Sequence, residues 1–151
     1  MIEAQLARLR NNPALHCSVV HRLTPAAARP RVPPKGYSLP LLLALSRQNV
    51  APQISRPDPA KVIAGDPVFT DCPHEAQDGL YAGIWQATPS TWAVSYAEWE
   101  YFHIHEGLSL LTDAAGMTTR LTPGTSIILR PGFSGTWQVL KTTVKDYVIR
   151  V

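Results

Sequence analysis

Glu98-Trp99-Glu100-Tyr101-Phe102-His103-Ile104-His105-Glu106-Gly107 decides the fold. Polar and apolar side chains alternate along it, the period of a strand with one face on a core, and it closes on a Glu-Gly turn signal. With a period of two, Glu100, Phe102 and Ile104 share one face, and Tyr101, His103 and His105 the other. The face with Phe and Ile is the one expected inside. His103 and His105 are therefore expected to point to solvent or to a partner subunit.

Working outward, residues 83–87, 91–96, 99–105, 108–112, 117–121, 125–129, 136–140 and 144–151 each have strand character. Pro89-Ser90, Glu106-Gly107, Ala115-Gly116, Pro123-Gly124 and Pro131-Gly132 punctuate them. Short strands at such even spacing predict an all-β sandwich or barrel. Nothing in this half has the pattern of a crossover helix, which argues against a parallel α/β sheet.

The chain has 151 residues, enough for one domain with a real core. Residues 1–57 are expected to be a basic, proline-rich leader and residues 58–151 the folded domain. Ile2, Leu6 and Leu9 recur at helical spacing, so a short helix is expected over residues 2–11. Between Pro13 and Pro59 prolines are too dense for long helices or a regular ladder. That stretch is expected to be extended or disordered, with a helical turn or two at residues 41–47. Its Arg-rich, acid-poor composition is also that of an organelle transit peptide, the reading set against a start site assigned too far upstream.

Charge follows the same division. Residues 1–60 carry eight basic side chains against Glu3 and Asp58, a surplus of +6, so with a total of +3 the remainder carries −3. The body therefore gives no support for nucleic-acid binding. Leu39-Pro40-Leu41-Leu42-Leu43-Ala44-Leu45, the longest apolar run, is far short of the roughly 20 residues that span a bilayer. Cys17 and Cys72 have no zinc-site spacing and read as free thiols of a cytoplasmic protein.

Glu100 with Gly107 seven residues later, Pro123-Gly124, then Pro131-Gly132-Phe133-Ser134-Gly135-Thr136-Trp137, and Lys145-Asp146-Tyr147-Val148-Ile149 occur in that order. Over residues 58–151 this resembles the small single-domain cupins related to the cupin domain of ureidoglycine aminohydrolase. The resemblance implies a double-stranded β-helix, a jelly-roll barrel with a small-molecule site in its mouth, usually a homodimer. Cupins of this kind often hold Mn, Fe, Zn or Ni through a His-x-His pair, a glutamate and a third histidine. Glu100 occupies the glutamate position, but Ala93, Val94, Ser95 and Tyr96 stand where the pair belongs, and Gly135 where the third histidine belongs. One carboxylate cannot replace the usual three or four protein ligands, so no metal cofactor is expected. The alternative is a divalent ion such as Mn on His103 and His105, serving a hydrolase or oxygenase, and it requires both to face inward. Cys72 and His74, a lone Cys-x-His, are a weaker candidate.

The residues expected to carry chemistry are Glu100, Lys145 and Tyr147. An inward Glu100 is costly unless answered by a cation or hydrogen bonds, and Lys145 shares a strand face with Tyr147. Tyr96, Phe102 and Trp137 would form an aromatic lid over them, giving an apolar pocket with a few convergent polar groups. Glu98 has the parity of Glu100, but at the strand start it is expected to be a solvated edge charge. Trp85, Trp92 and Trp99 are read as core or interface fillers. These residues point to a small nitrogen-containing or carboxylate metabolite, bound and on one reading transformed, with Glu100 as general base. The alternatives are a structural ion pair in the barrel wall and a non-catalytic ligand-sensing or interaction module.

Overall fold

Two long strands, joined along their whole length, shape the molecule. The structure is a computed structural model and describes residues 40–48 and 50–151. The strands are β1 (Gln53–Ser55), β2 (Val62–Gly65), β3 (Phe69–Gln77), β4 (Leu80–Ala87), β5 (Ser90–Ser95), β6 (Trp99–Asp113), β7 (Thr118–Leu121), β8 (Ser126–Leu129) and β9 (Ser134–Arg150). All pairings are antiparallel. Strand β6 runs beside β9 from Trp99↔Arg150 to Asp113↔Gly135. The later part of β9 also pairs β4, which continues through β3 to β1, while the early part of β6 pairs β8. The early part of β9 pairs β5, which continues to β2, and the later part of β6 pairs β7.

The continuous sheet is thus divided into two halves that curl onto one core. Ring contacts join them, Phe69 to Trp92 at 4.9 Å, Trp85 to Trp137 at 5.9 Å and Phe102 to Trp137 at 5.3 Å between centroids. This is the expected jelly-roll barrel. Burying large side chains of this kind contributes about 1.5–3 kcal/mol each, and most of the core cluster is aromatic or branched aliphatic. Among the described residues no helix is long and apolar enough to cross a membrane.

The structure changes several boundaries. Residues 99–105 and 108–112 are one strand, as are 136–140 and 144–151 apart from the terminal residue. Glu106-Gly107 is no turn but a bulge, where the β6–β9 register shifts. It has a geometric purpose. Before it the buried residues of β6 are Glu100, Phe102 and Ile104, and after it Ser109 and Leu111. The parity changes by one residue, so the strand bends and still keeps its core side inward.

The candidate helix at residues 2–11 and Cys17 lie outside the described residues. Residues 41–47 contain bends and the start of a turn rather than the expected helical turn. They lie against the barrel through Arg47, whose guanidinium pairs with Glu106 at 3.0 Å, and Ser46, whose N–H donates to His74 Nε2 at 3.0 Å. Ahead of residue 58, β1 pairs with β3.

Gly107 is the residue the bulge depends on. Its φ is +93°, and a Cβ there would collide with the Thr142 carbonyl and Thr143 Cα of β9. Gly116 also has positive φ (+85°) but open space around it. Gly107→Ala is therefore expected to cost well over the roughly 1 kcal/mol of a backbone penalty, and Gly116→Ala about that amount alone. Urea unfolding of both variants checks this; equal losses would show that the bend tolerates a side chain.

Candidate functional site

The inner face of the β4–β9–β6 half carries the polar residues. Lys145 lies opposite Trp85 on β4 and Ile104 on β6, and Glu100 opposite Ile149 on β9. The lysine crosses diagonally over the intervening Phe102, and its Nζ donates to Glu100 Oε1 at 2.6 Å. Both side chains are almost wholly buried, 3% and 1% exposed. Desolvating two such ions costs several kcal/mol each, which their attraction alone does not reliably offset. Three rings supply more: Nζ lies 4.5 Å from the Phe102 centroid, 4.9 Å from Trp137 and 5.0 Å from Trp85. Desolvated cation–π contacts contribute about 2 kcal/mol or more at best. Phe102 and Trp137 thus enclose the ammonium deep in the core, where an outer lid was expected.

Tyr147 goes elsewhere than expected. Its hydroxyl donates to Asp71 Oδ1 on β3 at 3.0 Å. The ring crosses Gly83 on the way, where an added Cβ would lie 2.8 Å from the hydroxyl. Asp71 was missed in the sequence because Asp71-Cys72-Pro73-His74-Glu75 does not look like a strand; β3 accommodates Pro73 at a register shift.

Tyr96 and Glu98 complete the cluster. Tyr96 is buried, with its hydroxyl turned toward Glu100 without closing a well-formed hydrogen bond. Burial first, then the charges of Glu100 and Glu98, hold its phenol pKa well above the usual tyrosine range. Glu98 is not a solvated edge charge. It is 6% exposed, and Oε2 accepts the Ala97 N–H at 3.1 Å. Burial raises its carboxyl pKa, with a further push from Glu100, against the lowering effect of backbone N–H donors. Its parity with Glu100 was the available signal; position at a strand start concealed the burial.

Glu98 Oε1, Glu100 Oε2, the Tyr96 hydroxyl and the indole Nε1 of Trp92 and Trp137 are buried without a hydrogen-bond partner. Beside them, between edge strands β7 and β8, lies a cavity of about 100 Å³ lined by Leu111, Asp113, Met117, Thr119, Ile127, Leu129 and Phe133. Phe133 packs edge-on against Tyr96 at 6.0 Å, and Leu129 is the β8 partner of Glu100.

The barrel interior does not fit the metal that the sequence resemblance implies. Glu100 is engaged by an ammonium, Val94 and Tyr96 are the inward residues where the histidine pair would stand, and Gly135 has no room for a side chain, since a Cβ would collide with the Thr112 carbonyl. His103 and His105 lie on the outer face, the former 2.9 Å from Ser126 Oγ and the latter 2.7 Å from Asp146 Oδ2. Among the described residues no group of three or more His, Cys, Asp and Glu is placed to hold a metal ion. Cys72 is buried with a free thiol, its pKa raised by burial and then by Asp71, against a lowering effect of Arg47. His74 is committed to main chain: Nδ1 lies 2.8 Å from the Cys72 carbonyl, and Nε2 lies 3.0 Å from both the N–H and the carbonyl of Ser46.

Residues 74–147 match the family model of the EutQ-like cupin domain. The barrel has the cupin fold. Solved structures agree on the fold. A protein of unknown function from Pseudomonas syringae pv. tomato is 22% identical with a TM-score of 0.61, over 70% of this chain and 46% of its own. A predicted oxalate decarboxylase from Thermotoga maritima is 12% identical with a TM-score of 0.58, over 72% and 99%. A putative ethanolamine utilization protein Q from Salmonella typhimurium is 16% identical with a TM-score of 0.50, over 68% and 97%. This cupin thus spans less than half the length of the Pseudomonas protein it resembles. No curated protein matches it.

Two expectations follow from the cluster. Lys145→Met leaves a buried carboxylate unanswered and is expected to cost about 3–5 kcal/mol, while the double change Lys145→Met/Glu100→Gln recovers part of it. Additive losses in urea melts would show that the pair is uncoupled. For Glu98, the folded pKa lies above the unfolded one, so its contribution is fully present below the unfolded value of about 4.3 and is lost as pH rises through the folded value. Glu98→Gln should therefore gain stability relative to the parent as pH rises. An offset constant with pH would contradict it.

Proposed function

We propose that this cupin binds a small nitrogen-containing metabolite inside the barrel, as a homodimer in the cytoplasm, through Tyr96, Glu98 and Glu100, with Lys145 and Tyr147 holding the wall behind them. The observation that carries the reading is the set of buried polar atoms without partners. Buried polar groups are overwhelmingly hydrogen-bonded, so several orphans in one barrel call for a partner. The indole N–H groups would suit an anionic ligand and the carboxylate oxygens an N–H donor. Charge decides between them, because an unanswered carboxylate costs far more to bury than a neutral N–H.

Any reaction at this site needs a group to move a proton, and Glu98, whose pKa is raised, is the carboxyl suited to it. Amide or amine chemistry of the ureidoglycine aminohydrolase-like kind is the nearest analogy, and it rests on resemblance alone. The near-complete burial of Glu100 and Lys145 favours a second reading, in which the ion pair only stabilises a platform for sensing or interaction.

Thermal melting of the full chain against amines, amides, ureido compounds and carboxylates tests the proposal. A ligand at 100 times its Kd adds about 2.7 kcal/mol, which at this size raises Tm by roughly 5–10 °C. The shift is expected among the nitrogen compounds and lost in Glu100→Gln. A panel without any shift would sink the reading in favour of the platform.

A further inference from the structure

We infer that the occupant of the barrel is a compact organic cation, a primary ammonium on a short alkyl chain, held between Glu98 and Glu100. The inference rests on the reading above and specifies its ligand. Among the described residues the buried acidic and basic side chains are Asp71, Glu98, Glu100 and Lys145, three carboxyl groups against one amino group. Lys145 is committed to Glu100 Oε1, and Asp71 is bonded by the Tyr147 hydroxyl. Glu100 Oε2 and Glu98 Oε1, both buried, are left as acceptors two residues apart on one chain segment, with the Tyr96 phenol beside them. An ammonium, with three donors and one positive charge, meets both oxygens and the phenol and reduces the excess of negative charge.

Shape points the same way. The cavity between β7 and β8 is walled mainly by Leu111, Met117, Ile127, Leu129 and Phe133, with Thr119 and Asp113, whose Oδ1 accepts the Ala115 and Met117 N–H, as its polar members; two of the apolar walls adjoin the cluster, Phe133 through Tyr96 and Leu129 through Glu100. Its volume of about 100 Å³ is smaller than the roughly 150 Å³ of an apolar cavity that admits benzene, and it suits a short alkyl chain. An alkylammonium places its tail in this apolar cavity and its head at the carboxylates. Phe133, on the β8–β9 loop, both lines the cavity and packs on Tyr96, so its ring must turn aside for the cation to reach the carboxylates. That loop is tied to Tyr96 by the Tyr96 N–H to the Phe133 carbonyl and the Gly132 N–H to the Tyr96 carbonyl, so movement falls to the ring.

Isothermal titration of the full chain with propylammonium, 1-propanol and propionate tests the inference, run in two buffers of different ionisation enthalpy. Propylammonium is expected to bind and the other two not at the same concentration. Because the cation favours the ionised form of Glu98, whose carboxyl pKa burial raises, binding is expected to tighten as pH rises, with any proton release read from the two buffers. Glu98→Gln should weaken it at least about tenfold, the loss of one charge-assisted contact, and abolish that pH dependence. Met117→Trp, at the exposed cavity rim, should also weaken binding without changing the melting temperature. Binding of propanol or propionate in preference would overturn the cation while leaving a small-molecule site. Undiminished binding by Glu98→Gln, or no binding of propylammonium, would overturn it too. Shifts for other nitrogen compounds in the melting panel would then leave the broader reading standing.

Discussion

The pairing of β6 with β9 is the constraint from which the rest of this structure follows. Each strand belongs to both halves of the barrel, so the bend that each makes near Gly107 and Thr143 decides how the halves face one another. At that bend the Ser109 and Thr143 hydroxyls bond to each other at 2.7 Å in full burial, and the Thr143 hydroxyl also reaches the Lys141 carbonyl at 2.9 Å. Polar groups interrupted by the bulge are thereby satisfied within the core. The same pairing sets Glu100 and Lys145 on one face within reach of each other.

The interior that results is an aromatic shell around a small set of charges. Trp92 and Trp137 stack at 6.4 Å with nearly parallel planes, and Trp85 and Phe69 close the shell from the other half. A shell of this kind excludes water and sharpens every electrostatic interaction inside it. That is why the balance of charge carries so much of the functional argument. A single surface carboxylate would be answered by solvent; Glu98 and Glu100 are not exposed to it.

Much of the fold was legible in the sequence. Alternation in Glu100, Phe102 and Ile104 identified the inward face, and the outward placement of His103 and His105 followed from it. The unread features are those that depend on partners far along the chain. Tyr147 bonds Asp71 across 76 positions, and the strand that carries Asp71 is disguised by Pro73 and by the neighbouring His74 and Glu75. The bulge was read as a turn because a Glu-Gly pair suits either, and only the parity change between Ile104 and Ser109 distinguishes them. Lys145 and Glu100 were legible as a pair, since an inward carboxylate demands an inward cation. The burial of Glu98 was not, because Glu98 precedes the strand and so stands outside its alternation.

High-resolution diffraction from the full chain crystallised with propylammonium tests the central claim most directly. The account requires a nitrogen within hydrogen-bond distance of Glu98 Oε1 and Glu100 Oε2, with the Phe133 ring displaced from its contact with Tyr96. An interior in which these oxygens bond only each other through a shared proton, with Phe133 in place, would contradict it.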